Sequence, residues 1–338
     1  MSQNSSTDFA GGYFPESAEN FRKLLDFVKG KNIAVVGHMR PDGDCISSQL
    51  AAAHIFRKAG AAKVVCVNKD PVPYLYKEFL GGENFVFAED FAEMDFEIVT
   101  VDCADYARIS PTFHERFPNP LAAIDHHVSN GDYAKISIVE STAAAAAELI
   151  AGLMLDAQME ISENIATILY MGVMTDTRQL TTSNTCLKTF KITERLVAQE
   201  VNPAEVSILL YQRERFARMK LLAHFLNTLT MHYDGQVCIG LLPQGIYEKL
   251  GATKEDSDGL VDYARNVDGV EIAAILEALP DGGVKGSLRS KHPETKVNEI
   301  AAHFGGGGHF AAAGFNVKMS MDEFYPKLLA TIGKHLQK

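Results

Sequence analysis

Short β-branched runs alternate with helix-like segments through the first half of the chain. NIAVVG (32–37), KVVCV (63–67), EIVTVD (97–102) and LAAID (121–125) each have the length and composition of a buried strand. Between them, segments such as SSQLAAAHIFRKAG carry apolar residues at helical spacing and end in glycine. The alternation predicts an α/β domain with a mostly parallel, Rossmann-like sheet flanked by helices.

The pattern changes in the second half of the chain. A helical stretch rich in Lys and Arg runs over 203–229, and shorter strands and helices follow it in a mixed order. We therefore predict a larger domain over 1–200, beginning with a loose polar arm at 1–16. A helical connector over 201–224 then leads to a smaller mixed α/β domain over 225–338.

Polar side chains stand at the carboxyl ends of the predicted strands, where α/β sheets bind ligands. A Pro-Asp-Gly-Asp segment alone is typical of a surface turn. Three strand ends and one helix end together, however, supply the oxygen and imidazole ligands that Mn²⁺ or Mg²⁺ uses. They suffice for two ions that share a carboxylate, an arrangement that points to phosphoryl chemistry. These positions are His38, Asp42, Asp44, Asp102, Asp125, His126, His127 and Asp176.

Composition narrows the range of partners. The 338 residues include 43 acidic and 32 basic side chains, a formal net charge of −11, which disfavours long duplex nucleic acid and anionic membranes. Five cysteines without a CxxC motif favour a reducing cytoplasm over a disulfide framework. The sequence shows no signal-peptide pattern and no apolar run near the roughly 18–20 residues of a membrane span.

Five segments also match a known family in order. GHMRPDGD, VDCAD, IDHHVSN and VMTDT resemble the four motifs of the DHH phosphoesterases, and GGGGHFAAAGF resembles the glycine-rich signature of their associated C-terminal domain. The chain looks most like the nanoRNase and pAp-phosphatase branch, which hydrolyses very short oligoribonucleotides, linear dinucleotides and 3′,5′-bisphosphonucleosides. Two residues depart from that branch, since Arg178 and Ser47 stand where it usually has glycine.

The resemblance implies two divalent metal ions, Mn²⁺ in preference to Mg²⁺. It assigns His38 and Asp42 to one ion, with Asp102 bridging to the second. The ligands it assigns to the second ion are Asp44, His126 and Asp176.

Asp125 and His127 form the expected catalytic pair. Asp125 would orient a metal-bound imidazole from behind. His127, by analogy with the family, would contact the scissile phosphate or transfer a proton.

Substrate contacts are expected in the second domain. The glycine tract lets a ligand or another backbone approach closely, and we expect His309 to open a short Ala-rich helix whose N–H groups favour an anion or a base edge. In KGSLRSK, Lys285 and Arg289 fall on one face of a predicted strand, and the family match assigns Arg289 to a substrate phosphate. The expected substrate-binding residues are Arg289, Gly306, Gly307, Gly308 and His309.

The leading hypothesis is a cytoplasmic two-metal phosphoesterase that acts on short oligoribonucleotides, linear dinucleotides and pAp. Two alternatives within the enzymes are a cyclic-dinucleotide phosphodiesterase and an exopolyphosphatase. An alternative of another class is a non-catalytic nucleotide- or RNA-binding module, because a similar C-terminal domain also occurs in alanyl-tRNA synthetases. The sequence leaves open the preferred substrate, the direction of cleavage and whether a homodimer forms.

Overall fold

A computed structural model describes the protein over residues 11–292 and 294–336. The chain divides into two units between Arg213 and Glu214, which lie inside the predicted connector. In the part of the chain that the structure describes, no helix has both the length and the apolar character needed to cross a bilayer.

The predicted arm at 1–16 is described only in part, since residues 1–10 lie outside the described residues. The remainder is anchored to the first unit. The backbone N–H groups of Tyr13 and Phe14 donate to the Asp156 carboxylate at 2.7 and 2.8 Å, and the Phe14 ring is buried in the core. A loose arm is therefore the wrong description of residues 13 and 14.

Six parallel strands form the sheet of the first unit, in the order β3-β2-β1-β4-β5-β6. The order runs in opposite directions on either side of the β1–β4 pair, and open α/β sheets bind ligands at such a switch point. The predicted parallel sheet is confirmed. The strands are β1 (Asn32–Val36), β2 (Lys63–Asn68), β3 (Phe85–Phe87), β4 (Phe96–Val101), β5 (Ala122–Asp125) and β6 (Ile136–Val139).

Both faces of this sheet are covered, which is why β1 is apolar at nearly every position. Ile33 and Val35 belong to the larger apolar core, whereas Ala34 and Val36 belong to a second core that also contains Phe113. The helices of this unit are α1 (Ala18–Phe27), α2 (Gly43–Lys58), α3 (Pro111–Arg116), α4 (Ala146–Asp156), α5 (Glu163–Asp176), α6 (Leu187–Val197) and α7 (Pro203–Tyr211).

Ser47 lies where α2 packs against α5. Its side chain is fully buried, and its hydroxyl donates to the carbonyl oxygen of Ile168 at 2.6 Å. A Cβ on Gly172 would lie 2.5 Å from the Ser47 oxygen and 2.6 Å from the Ala147 Cβ. The space for Ser47 therefore depends on the glycine at position 172.

The second unit has its own six-stranded sheet, in the order β11-β12-β10-β9-β8-β7, and only the β8–β9 pair is parallel. Helices cover two separate apolar clusters of this sheet. The strands are β7 (Thr230–His232), β8 (Val237–Leu242), β9 (Ile272–Ala278), β10 (Val284–Ser290), β11 (Gly307–His309) and β12 (Ala312–Val317). The helices are α8 (Phe216–Asn227), α9 (Ile246–Leu250), α10 (Leu260–Arg265), α11 (Val297–His303) and α12 (Met321–Leu336).

The predicted Ala-rich helix at His309 is wrong, because this segment forms a β-hairpin. His309 ends β11, and Ala312 and Ala313 begin β12. Ala312 and Ala313 pair with Arg289 and Leu288 of β10, so strand pairing outweighs the helix propensity of alanine.

Candidate metal and catalytic centre

Asp102 is the centre of a cluster at the switch point of the first sheet. Its backbone is left-handed (φ +51°), and its side chain is 3% exposed. Its Oδ2 atom lies 3.4 Å from Nε2 of His38, and its Oδ1 atom lies 3.5 Å from Nε2 of His126. Oδ1 is buried and accepts no hydrogen bond from the described residues. Backbone strain and an unpaired buried oxygen are both costly, so their coincidence indicates a functional site.

The two imidazoles that face Asp102 are oriented from behind by backbone carbonyls. Nδ1 of His38 lies 2.8 Å from the carbonyl oxygen of Met39, and Nδ1 of His126 lies 3.3 Å from that of Ala143. Because a carbonyl only accepts, each Nδ1 carries the hydrogen in these contacts. Nε2 of each ring is thereby presented toward Asp102, which is the usual arrangement of a metal-ligating histidine.

Two more carboxylates complete the cluster around His126. Its Nε2 atom lies 3.7 Å from Oδ2 of Asp176 and 3.9 Å from Oδ2 of Asp44. Ligand atoms of these three residues lie within 4.8 Å of one another, a spacing that one cation can bridge. Three strand ends and one helix end therefore converge as the sequence predicts.

Asp42 lies at the rim of the cluster. Its Oδ1 atom is 3.9 Å from Nε2 of His38, and the same oxygen accepts the backbone N–H of Cys45 at 3.0 Å as the N-cap of α2. The Cys45 thiol also lies within ligand distance of His38 and Asp102. Burial raises the pKa of this thiol well above its usual value, which favours its protonated form in the protein without a cation.

Burial and neighbouring charges both shift the pKa values of the groups in the cluster. Burial disfavours charged imidazoles, but the negative charge of Asp102 and of the nearby carboxylates raises the pKa of His38 to about 9 and that of His126 to about 10. Burial raises the pKa of Asp44 well above its usual value and that of Asp176 to about 6. In the protein without a cation, bound protons therefore offset the negative charge of the carboxylates. A divalent cation can offset the same charge.

Asp125 and His127 form a separate hydrogen-bonded pair beside the cluster. Oδ1 of Asp125 lies 2.7 Å from Nδ1 of His127, and Oδ2 accepts the Asn130 amide at 2.7 Å. Asn130 has no predicted role in the sequence, although it lies within the IDHHVSN motif. Nδ1 of His127 is engaged by Asp125 and also lies 3.7 Å from Oδ1 of Asp102, so Nε2 is left for other contacts.

The alanine-rich segment at the start of α4 holds the cluster through its backbone. The N–H groups of Ala146 and Ala147 donate to the two oxygens of Asp44 at 2.7 and 2.8 Å. Glu148 in turn accepts the N–H of Ala144 at 2.7 Å and the hydroxyl of Thr189 at 3.2 Å. Backbone donors carry no residue-specific signal, and sequence reasoning missed this support.

Arg289 and His309 share one row of the second sheet. Each pairs directly with Ala312, from opposite sides, so the three residues lie on the same face. At the usual strand spacing, the Cα atoms of Arg289 and His309 are roughly 10 Å apart. Arg289 also lines a cavity together with Lys285 and Glu277. The predicted substrate residues of this unit are therefore neighbours.

The glycines of this hairpin serve different needs. A Cβ on Gly306 would lie 2.2 Å from the Gly314 carbonyl oxygen, and one on Gly308, whose φ is +143°, would lie 2.5 Å from that of Ala312. Neighbouring backbone therefore requires glycine at both positions. Gly307 is exposed, and an added Cβ would meet nothing within 4 Å, so its backbone leaves room for a ligand.

Comparison with known proteins agrees with this architecture. The family model described as "DHH family, N-terminal domain" matches residues 32–173, and the model described as "DHHA1 domain" matches residues 235–338. The chain belongs to the DHH family. The units on either side of residue 213 are accordingly called the DHH unit and the DHHA1 unit, and the family resemblance seen in the sequence is confirmed.

Relatives and solved structures cover nearly the whole chain. A probable bifunctional oligoribonuclease and PAP phosphatase NrnA of Streptococcus mutans is 29% identical over 88% of this chain and 93% of its own length. The corresponding protein of Thermus thermophilus is 29% identical over 95% and 96%. The crystal structure of an exopolyphosphatase-related protein from Bacteroides fragilis superposes with a TM-score of 0.84 at 23% identity, covering 95% of this chain and 96% of that one, which supports the fold.

Membership of the DHH family and the ligand groups around Asp102 together indicate that the centre uses a divalent metal.

The backbone at Arg178 gives a physical context to the departure from glycine at this position. Arg178 is left-handed (φ +46°), and so are Gln179 and Leu180. Glycine adopts this conformation at the least cost, which agrees with the glycine usual at position 178 in this branch.

Proposed function

We propose that this chain hydrolyses short oligoribonucleotides and linear dinucleotides to mononucleotides, and pAp to AMP, with two divalent ions and with Mn²⁺ preferred to Mg²⁺. The names of the NrnA relatives support the substrate class. One observation carries the proposal: the buried carboxylate of Asp102, with Oδ1 unpaired, lies between two imidazoles that are both oriented from behind.

In this proposal Asp102 would help to hold both ions. His38 and Asp42 would hold the first ion. When bound, the ions would lower the pKa of a water molecule, orient the phosphate and neutralise its charge. The remaining ligands, on the second ion, are Asp44, His126 and Asp176.

His127 donates a proton to the leaving group. Its Nδ1 is engaged by Asp125, which fixes the ring and stabilises its charged form, and this hydrogen bond raises the pKa of His127. A protonated Nε2 can then give its proton to the leaving oxygen as the phosphorus–oxygen bond breaks. Asn130 holds the other oxygen of Asp125, so the pair keeps one geometry.

The DHHA1 unit binds the substrate in this proposal. Arg289 would bind a phosphate through two parallel N–H donors, which lysine does not offer. His309 and the open backbone of Gly307 would bind a base edge, while Gly306 and Gly308 shape the hairpin. We assign catalysis to 1–200, the connector to 201–224 and substrate binding to 225–338.

The net charge of −11 supports short substrates over long duplexes, because an acidic surface offers no extended phosphate track. Neither a homodimer nor a cytoplasmic location is needed for this mechanism, and both stay predictions.

A product time course with Mn²⁺ tests the function. The panel is pAp, pApA, pGpG, a five-mer, cyclic di-AMP and polyphosphate, with Asp102→Asn as control. We expect mononucleotides from the linear dinucleotides, phosphate from pAp, and no product after EDTA. Turnover of polyphosphate or cyclic di-AMP alone would favour those alternative activities. Dinucleotide binding without turnover would favour a binding module.

A further inference from the structure

A cavity of about 380 Å³ lies in the DHH unit, and no proposed metal ligand lines it. Its walls are the turn after β4, which includes Ala104 and Tyr106, His114 of α3, and the turn after β5, which includes Ser129 and Tyr133. The volume falls within the usual range for small-molecule sites, roughly 300–1,000 Å³.

Both turns begin at the catalytic centre. Ala104 is two residues beyond Asp102, and Ser129 is two residues beyond His127. Two residues of extended chain span at most about 7 Å, so each wall starts within that distance of a central residue. A substrate whose scissile phosphate lies at the centre would therefore have this cavity beside it.

Hydrogen bonds fix the two walls to each other and to the catalytic pair. The Tyr133 hydroxyl donates to the Cys103 carbonyl oxygen at 2.6 Å, and the Gly131 N–H donates to that of Ala104 at 3.3 Å. The Asn130 amide contacts the Cys103 carbonyl oxygen at 3.3 Å as well as Asp125. The cavity is thus pre-organised, which lowers the entropic cost of binding.

The lining favours a ring over a phosphate. Tyr106 stacks on Tyr133 with ring centroids 5.3 Å apart, and the His114 ring meets Tyr106 at 5.1 Å. Both tyrosine hydroxyls donate to backbone carbonyls, so neither hydroxyl is free to donate to a phosphate. The described residues that line the cavity include Asp105 but no Lys or Arg. Aromatic rings without a cation suit a nucleobase.

We propose that this cavity binds the second nucleoside of a dinucleotide substrate, the one that pAp lacks. A linear dinucleotide carries a nucleoside on each side of its scissile phosphate, whereas pAp carries one. This inference rests on the proposed function and adds to it a site that separates its two substrate classes. The cavity would raise activity on dinucleotides selectively.

Filling the cavity tests the inference. Gly131 lines it, has no left-handed φ, and an added Cβ would meet nothing within 4 Å, so Gly131→Leu introduces no backbone strain. Gly11→Leu is the matched control, because Gly11 has equally open surroundings in the same unit outside the cavity. His114→Ala removes a ring from the cavity, with His54→Ala as its control.

The readout is the ratio of kcat/KM on pApA to kcat/KM on pAp, with circular dichroism to check folding. We expect the ratio to fall roughly tenfold in Gly131→Leu and several-fold in His114→Ala, which is the scale of one lost base contact. The two controls should keep the wild-type ratio. A ratio that does not change, or an equal loss on both substrates, would overturn the inference.

Failure of the proposed function gives a different result. A wild-type chain that hydrolyses neither substrate would contradict the proposed function. The cavity would then be tested separately, by measuring the binding of ApA by calorimetry. Weaker ApA binding in Gly131→Leu than in wild type and Gly11→Leu would then support the site. Equal binding in all three proteins would exclude it.

Discussion

The centre of the DHH unit consists of buried side chains that backbone groups already hold, whereas the proposed substrate region of the DHHA1 unit is mostly exposed. In the first, Asp102 is 3% exposed and Asp44 accepts two backbone N–H groups. In the second, Gly307 and His309 are exposed, and among the described residues Arg289 donates only to the carbonyl oxygen of its neighbour Leu288, at 3.0 Å.

The difference reflects the kind of ligand that each region would bind. Multivalent cation binding needs several donors within a few ångströms, so their geometry must be set before the ion arrives. The cost is visible as mutual repulsion, raised pKa values and a strained backbone. Exposed groups that bind a flexible ligand need less pre-organisation. Substitutions in the first region should therefore have the larger effects.

Asp102→Asn should have the largest effect. Asparagine tolerates a left-handed backbone, so the fold is expected to persist while the shared ligand loses its charge. We expect kcat/KM to fall by at least about a thousandfold and metal stoichiometry to drop. Steady-state kinetics and calorimetry with Mn²⁺ measure both. A variant that keeps wild-type activity would remove Asp102 from the mechanism.

His127→Asn should separate proton transfer from metal binding in the same region. We expect kcat to fall by a few hundredfold, because the proton donor is lost, while metal affinity stays the same. Calorimetry provides the second readout. A large loss of metal affinity would instead make His127 a ligand, contrary to its engagement by Asp125.

Metal affinity should increase with pH. The pKa values of about 9 for His38 and about 10 for His126 mean that both rings are protonated at pH 6, and a cation at Nε2 must displace those protons. Both rings stay protonated up to pH 8, but the lower proton concentration favours displacement, so the affinity for each ion should rise roughly a hundredfold from pH 6 to pH 8 for one displaced proton. Titrations in buffers of different ionisation enthalpy count the protons. No release at pH 6 would contradict this account.

Glu148→Leu tests whether the backbone supports the centre. Leucine leaves the N–H of Ala144 unpaired next to the alanine-rich segment that holds Asp44 and His126, whereas Glu148→Gln keeps an acceptor. We expect about a tenfold loss of Mn²⁺ affinity for the first variant and a smaller loss for the second. Equal affinities in both variants and wild type would show that the alanine-rich segment holds its shape without Glu148.

Gly308→Ala should have the smallest effect, and it probes the exposed region. Its Cβ would collide with β12 at a left-handed φ, so we expect a destabilisation of roughly 1–3 kcal/mol and a few-fold rise in KM. Gly307→Ala is the matched control and should leave the melting temperature unchanged. Equal melting temperatures for the two variants would refute the different roles given to these glycines.

The same contrast explains what the sequence predicted well. The apolar runs of β1, β4 and β5 mark strands covered on both faces, and the polar residues after them converge because parallel strands end at one edge. Those signals are local, and the fold follows from them. Edge strands β3 and β6 were missed, because short and partly exposed strands have a weak pattern.

Other features could not be predicted from the sequence, for physical reasons. The contacts of Ala146 and Ala147 with Asp44 use backbone atoms, and they join residues about a hundred positions apart. The hairpin at His309 forms because Ala312 pairs with β10, a tertiary effect that local alanine propensity opposes. Asn130 lies within the IDHHVSN motif, but only the geometry shows that its amide donates to Asp125.

Anomalous diffraction from crystals grown with Mn²⁺ tests the central claim most directly. This account predicts two manganese peaks per chain, both contacting the Asp102 carboxylate, one beside His38 and the other beside His126. A single peak, or peaks that do not contact Asp102, would contradict the shared-carboxylate centre on which the proposed function rests.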